Sequence, residues 1–428
     1  MLISHFLWTG LDICIFAHMS VYPKISILSN GLKIAFLNIN HSPVSHCALM
    51  INAGSRDDLA NCEGLAHLTE HMIFKGTKKR KAYQILNRLD AVGGDLNAYT
   101  SKEETCIHAS FLNEHAERAI ELIADITFNS IYPEYELEKE KTVVVDEIRS
   151  YFDNPAENIF DDFEELFFIN HALGHNILGT QESLKQIKRK DLLHYTKLAF
   201  QPKNMVFTYV GNLKESTFYK YIQKYFEANK NTNTQLEKRI PFKNYKPFYI
   251  KKDIDSHSVH MVIGNKAYPI KHKNRIALVL LTNMLGGPAM NAKLSIALRE
   301  KNGISYQVDA NYTAFSDSGL FTIYSATDIN QAEKCKELIF KELKKIRDSK
   351  LSETLLSQAK TQLKGQLSLA HENRSGMSIG FAKSLLMLDK IESIESIFSQ
   401  IDKVTTSQIL EIANTVFEQD KLSILEYY

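Results

Sequence analysis

Apolar and polar positions alternate over residues 25–38, broken by Ser29-Asn30-Gly31, which predicts a β-hairpin. Residues 47–53 (CALMINA) form a β-rich run, and residues 96–99 and 105–111 read as two further strands. Helical spacing takes over at 64–75 and 83–92, the second helix ending at Gly93-Gly94. It returns at 113–129 through Ala116, Ala119, Ile120, Ile123 and Ile126. A long helix is predicted over 134–152, stopped by Asp153-Asn154-Pro155. Helices over 157–168 and 181–199 follow, and a strand over 205–211.

Residues 229–246 (NKNTNTQLEKRIPFKNYK) lack apolar periodicity and read as a linker. The pattern then restarts with strands at 248–252 and 259–263 and helices at 274–285 and 290–301. Strands at 304–313 and 319–325, helices through 331–417 and a last strand at 422–427 complete it. Two halves of about 200 residues with one element order predict an internal duplication, with α+β layers in each copy. The halves are assigned to residues 21–228 and 247–428. Residues 1–20 are apolar without Lys or Arg; they read as a poorly ordered extension, with Met19 as an alternative start.

Composition narrows the function classes. The 428 residues carry 51 Lys+Arg against 50 Asp+Glu, a balance that argues against a general nucleic-acid binder. Cys14, Cys47, Cys62, Cys106 and Cys335 are dispersed without a CxxC, as expected of reduced thiols in a cytoplasm. No apolar run approaches the ~18 residues of a membrane span, so no membrane insertion is expected.

The chemistry concentrates in His67-Leu68-Thr69-Glu70-His71. On a helix, positions i and i+4 share a face, so the two imidazoles can grip one Zn²⁺. Glu70 lies beside them as a general base for water, in the order-reversed form of H-E-x-x-H. A catalytic zinc needs a third protein ligand and an open position. The helix over 134–152 offers Glu138, Glu140, Asp146 and Glu147. Glu140 and Glu147, seven apart, fall on one face. For Glu134, Glu136 and Glu138 a solvated acidic face is the preferred reading.

The pentapeptide, followed 76 positions later by Glu147 in Val-Asp-Glu-Ile, resembles the pitrilysin and insulysin superfamily of zinc peptidases. The branch it is most similar to is the bacterial and mitochondrial-processing-peptidase-like group. The resemblance implies His67, His71 and Glu147 as metal ligands, Glu70 as the base and Glu140 as a supporting acid. Gly94-Asp95-Leu96-Asn97-Ala98-Tyr99-Thr100-Ser101 is similar to the family's substrate-pairing edge strand, which implies Asn97, Ala98 and Tyr99 as substrate contacts. Arg299-Glu300-Lys301-Asn302-Gly303-Ile304-Ser305-Tyr306 resembles a segment whose Arg and Tyr reach the scissile bond, implying catalytic roles for Arg299 and Tyr306. Residues 292–296 stand where a second zinc motif would fall, so one Zn²⁺ per chain is expected.

The implied fold is α+β: two duplicated α/β-sandwich halves of the LuxS/mitochondrial-processing-peptidase-like metalloenzyme type, each a mixed or antiparallel sheet with helices packed on it. The implied function is a zinc metalloendopeptidase that hydrolyses short or extended unfolded peptides inside a clamshell chamber. The chamber calls for a homodimer, or a heterodimer with a related subunit. The alternative is one subunit of a two-chain peptidase, or a non-catalytic peptide-binding or structural subunit. A bacterial cytoplasm is the expected compartment, with envelope and mitochondrion as alternatives. Glu157, Asp161, Asp162, Glu164 and Glu165 read first as a solvated helix face, and second as a patch favouring basic substrates.

Overall fold

The computed structural model describes residues 22–428; the extension expected at residues 1–20 lies outside the described residues. The first half runs β1 (Lys24–Ile27), β2 (Lys33–Asn38), β3 (Val44–Ile51), α1 (Leu65–Ile73), α2 (Ala82–Asp90), β4 (Asp95–Thr100) and β5 (Thr105–Leu112). It continues through α3 (Ala116–Phe128), α4 (Glu134–Phe152), α5 (Pro155–Phe167), α6 (Gln181–Gln186), α7 (Arg189–Ala199), β6 (Met205–Gly211) and α8 (Glu215–Ile222). Its six strands lie in the order β1-β2-β6-β3-β5-β4. Only β2 and β6 pair parallel.

The second half runs β7 (Tyr249–Lys252), β8 (Ser258–Ala267), α9 (Arg275–Gly286), β9 (Ser305–Ala314) and β10 (Gly319–Asp328). Then come α10 (Ala332–Asp348), α11 (Glu353–His371), α12 (Arg374–Leu388), α13 (Ile394–Asp402), α14 (Thr406–Val416) and β11 (Ser423–Tyr427). Its sheet has the order β7-β11-β8-β10-β9, with β7 and β11 as the parallel pair. The order β2-β6-β3-β5-β4 is thus repeated strand for strand. The long helices α4 and α11, both of 19 residues, occupy matching places. These two mixed sheets with helices are the duplicated architecture expected.

Four expectations change in detail. The helix expected over 181–199 is two, α6 and α7, because Ile187 and Lys188 are extended. A fresh N-terminus forms where Asp191 accepts the Lys188 N–H. The helix expected over 290–301 starts later and is wound as a wide π turn over Ser295–Glu300. The counterpart of α1 in the second half is α9, not residues 292–296, and its sequence RIALVLLTNMLG holds neither His nor Glu. The linker residues form no helix or strand but are tied down: Phe242 is buried, and Arg239 pairs with Asp57.

One face of the first sheet carries the main core, where Leu49, Ile107 and Phe207 meet Leu68 and Met72 of α1 and Ile120 and Ile123 of α3. The opposite face is covered by α12, from the other half. Phe381, Ala382 and Leu385 pack on Ala48, Met50, Val206 and Val210. The exchange is reciprocal, for α5 of the first half covers the second sheet. Its Ile159, Phe163 and Phe167 pack with Val262, Leu425 and Tyr427. The approach is close: a Cβ at Gly264 would stand 2.8 Å from the Phe163 ring.

Candidate metal centre

α1 begins at Gly64, whose φ of 87° is left-handed; a Cβ there would meet the Leu178 carbonyl oxygen at 2.5 Å. The Asp58 carboxylate accepts the N–H groups of Gly64 and Ala66 at 2.8 and 2.7 Å, satisfying donors the helix leaves open. Leu65, Leu68 and Met72 turn one side of α1 into the core. His67, Glu70 and His71 are left on the side facing α4. The two imidazole rings stand 4.6 Å apart between centroids.

α4 supplies the carboxylates. Leu137 and Val144 bury its core side, and Glu140 is buried with them. Glu147 Oε2 lies 3.9 Å from His67 Nε2 and 3.8 Å from His71 Nε2. Among the described residues, His67, His71 and Glu147 are the one group of three His, Cys, Asp or Glu side chains whose ligand atoms all lie within 4.8 Å of one another. A tetrahedral zinc with bonds of ~2.1 Å needs ligand separations of about 3.4 Å, so the two histidine–carboxylate distances need to close by only about half an ångström.

The protonation states suit a cation. Burial, helped by the neighbouring His71, pushes the His67 imidazolium down to about 3, so this ring is neutral and keeps a lone pair. Its buried Nδ1 has no hydrogen-bond partner. His71 Nδ1 donates to Glu140 Oε2 at 3.1 Å, which leaves Nε2 as the free nitrogen facing Glu147. Two imidazole nitrogens and a carboxylate oxygen, with no fourth ligand among the described residues, match a zinc site that keeps a position open. Glu70 sits beside them. Burial raises its carboxyl above the ordinary value; a Thr100 hydrogen bond and His71 oppose the rise, and Glu147 adds to it.

The other expected residues are more dispersed. Asn97, Ala98 and Tyr99 lie in β4, one of the two edge strands of the first sheet. The Ala98 N–H donates to Asn97 Oδ1 at 3.0 Å, so this edge group is held by a side chain. Arg299 lies in the π-wound turn, and its guanidinium pairs with Glu300 at 2.8 Å. Tyr306 is the extra residue of a bulge in β9, the edge strand of the second sheet. Among the described residues, no hydrogen bond or ion pair joins Arg299 to the histidines or to Glu147. Of the acidic residues after α4, Asp162 is paired with Lys252 and Glu164 with Lys102, so only part of that set is unpaired charge. Sequence reasoning assigned no role to Thr100, which donates to Glu70, or to Lys75, which pairs with Glu140.

Comparison with known proteins gives the family of the chain. Residues 33–181 match the model of the insulinase family, peptidase family M16, and residues 186–363 match that of the M16 inactive domain. An uncharacterized zinc protease of Bacillus subtilis, YmxG, is 33% identical over 393 residues, covering 91% of this chain and 95% of its own. An uncharacterized zinc protease of Rickettsia bellii is 30% identical, covering 94% and 96%. Among solved structures, a protease from Helicobacter pylori aligns with a TM-score of 0.87 at 24% identity, over 95% of this chain and 99% of that one. A peptidase M16 inactive domain from Pseudomonas fluorescens aligns at 0.88 and 19%, over 95% and 97%. These two structures support the fold, and the sequence relatives carry the family. The chain is therefore a member of the insulinase family of M16 peptidases, the superfamily that its zinc motif resembles.

Proposed function

We propose that this chain is a zinc-dependent metalloendopeptidase acting on short or extended peptides. The observation that carries the reading is the convergence of His67, His71 and Glu147 with Glu70 alongside. When bound, zinc supplies a Lewis acid that polarises the scissile carbonyl and acidifies water. Glu70 takes the proton of the attacking water and delivers it to the departing amine. Glu140 fixes the tautomer of His71. The free edge of β4 pairs with the peptide backbone as an added strand, with Asn97, Ala98 and Tyr99 along it. Pairing there requires Asn97 Oδ1 to release the Ala98 N–H.

Arg299 and Tyr306 are assigned to hold substrate and steady the developing oxyanion. Since Arg299 is paired with Glu300 in its own chain, we assign its catalytic contact to a second chain facing the zinc site. That arrangement is a clamshell homodimer with one Zn²⁺ per chain. The same observation favours, as the second reading, a heterodimer with a related subunit or a peptide-binding role that needs a partner. Cys47, Cys62, Cys106 and Cys335 as free thiols and the bacterial relatives support a bacterial cytoplasm. No helix among the described residues is long and apolar enough to cross a membrane.

The test is incubation of the purified chain with peptides of roughly 20–30 residues, a span suited to an enclosed cleft, with and without a zinc chelator. Chelator-sensitive products by mass spectrometry support a self-sufficient peptidase. Zinc bound without cleavage supports the partner-dependent reading, and a chain that neither cleaves nor binds zinc overturns both.

A further inference from the structure

The two histidine ligands are held in different ways. The His67 side chain is 10% exposed and its Nδ1 has no partner, so packing alone fixes that ring. The His71 side chain is 21% exposed, and its orientation depends on the hydrogen bond to Glu140. Glu140 therefore decides where His71 Nε2 points.

Glu140 has its own requirement. Its side chain is only 8% exposed, and a carboxylate so buried needs a partner at each oxygen. Oε2 accepts from His71 Nδ1 at 3.1 Å, and Oε1 is met by Lys75 Nζ at 2.6 Å. With one anchor per oxygen, the plane of the carboxylate is set. Lys75 stands four residues after His71, just past the end of α1, where its N–H bonds the Met72 carbonyl. Both contacts therefore come from one turn of chain, while Glu140 comes from α4 across the groove. Glu70, Glu140 and Glu147 place three carboxylates around two imidazoles. The Lys75 ammonium offsets the one of the three that neither binds metal nor moves a proton in the proposed mechanism.

We propose that Lys75 is a positioning residue for the metal ligand His71, acting through Glu140. This rests on the reading of the site as a zinc centre. Removing the ammonium frees Oε1, lets the carboxylate turn, and loosens the aim of Nε2. Metal affinity is what such outer contacts govern, typically by ~10–100-fold. A Lys75–Glu140 pair that merely ties α1 to α4 would lower stability and leave the aim of His71 unchanged.

The experiment compares the full chain with Lys75→Met, Lys75→Arg and Glu140→Gln variants, and with the Lys75→Met/Glu140→Gln double variant. Zinc affinity is read by competition with a chromophoric chelator, and ligand geometry by the visible spectrum of bound cobalt(II). Lys75→Met is expected to weaken zinc binding by at least about tenfold and to alter the cobalt bands. Lys75→Arg is expected to restore most of both. In the Glu140→Gln background the Lys75 change is expected to add little, because the two act in series. Affinity within twofold of the parent and an unchanged cobalt spectrum in Lys75→Met would overturn the proposal while leaving the zinc reading intact. A lower melting temperature alone, with zinc affinity retained, would overturn it equally. A parent chain that binds no zinc overturns both readings.

Discussion

Thr100 Oγ1 donates a hydrogen bond to Glu70 Oε2 at 2.8 Å, so the last residue of the edge strand β4 holds the carboxylate proposed as the base. The strand that would receive substrate and the group that would activate water are thus one mechanical unit. A hydrogen bond to a charged acceptor is worth ~1.5–3 kcal/mol. Thr100→Val is expected to lower kcat/KM by about tenfold to a hundredfold while one zinc per chain remains. Glu70→Gln is expected to cost about 10²–10⁴-fold, also with zinc retained. Elemental analysis beside steady-state peptide cleavage separates the two effects, and a Thr100→Val enzyme with parental kcat/KM would remove Thr100 from the machinery.

A buried ion pair that ties the two halves together is Arg56 with Asp317, 261 positions apart. The Arg56 side chain is 1% exposed, and its guanidinium grips both Asp317 oxygens at 2.6 and 3.0 Å. It also donates to Glu103 at 2.6 Å and to the Ile240 carbonyl of the linker at 2.6 Å. Glu103 in turn accepts from the Ser316 N–H and hydroxyl. One cation thereby joins the first half, the linker and the β9–β10 turn. Breaking such a pair leaves Glu103 with only Arg239 and Ser316 and Asp317 without its cation, at a cost of up to about 3–5 kcal/mol. Arg56→Met is expected to lose about that much in urea unfolding, and a loss under ~1 kcal/mol would mean that this junction is open in solution.

Acid should weaken the metal-free chain in a defined window. A histidine whose folded pKa is depressed stabilises the fold while both states are neutral. That contribution is lost as pH falls from the unfolded value of ~6.5 toward the folded one. His67, held down to about 3 by burial and by His71, sets the window between those two values. Burial also lowers His46, His108 and His260, which add to the loss at its upper end. Between pH 7.5 and 4.5, His67 alone should cost the folded state on the order of 3 kcal/mol. Denaturant unfolding in the presence of chelator should show a shallower pH slope for His67→Gln than for the parent, by about one proton. Parallel slopes would mean that His67 takes up its proton in the folded chain as readily as in the unfolded one.

What was legible follows from which forces are local. The helix over 134–152 is read to the residue, because its pattern is continuous and Asp153-Asn154-Pro155 stops it. The His67–His71 pair is readable for the same reason, since a spacing of four is helical geometry, whereas Glu147 is singled out among the acidic residues of its helix only by the family resemblance. The break at Ile187 was not legible, since Ile187 is buried and continues the apolar spacing through the extended residues that separate α6 from α7. Thr100 and Lys75 were within view but without a role, because each acquires one only when β4 and α4 are brought against α1. Arg299 shows the converse. Its motif was plain, yet within its own chain it meets Glu300.

The exchange of α5 and α12 was least legible, since an apolar helix face does not state which sheet it covers, and it makes the strongest claim about folding. Each half lacks the lid of its own sheet. Without α12, Ala35, Ala48, Met50, Val206 and Val210 would be stripped of cover, and Thr208 would lose the buried hydrogen bonds of its hydroxyl to Ser378. Without α5, Val262, Leu425 and Tyr427 would be bared, and the Tyr427 hydroxyl would lose Asn158 and Asp162. A bared sheet face of that kind is an aggregation surface. Chains of this length commonly unfold in several steps, one domain at a time. Here the expectation is the reverse: one calorimetric transition for the full chain, with no separate melting of either half. Residues 22–246 produced alone should bind a hydrophobic dye and lack a cooperative transition, and adding residues 247–428 should restore both the transition and zinc binding. Two resolved transitions in the intact chain, or a first half that alone melts cooperatively and binds zinc, would show that the borrowed helices are dispensable cover and that the halves are independent folding units.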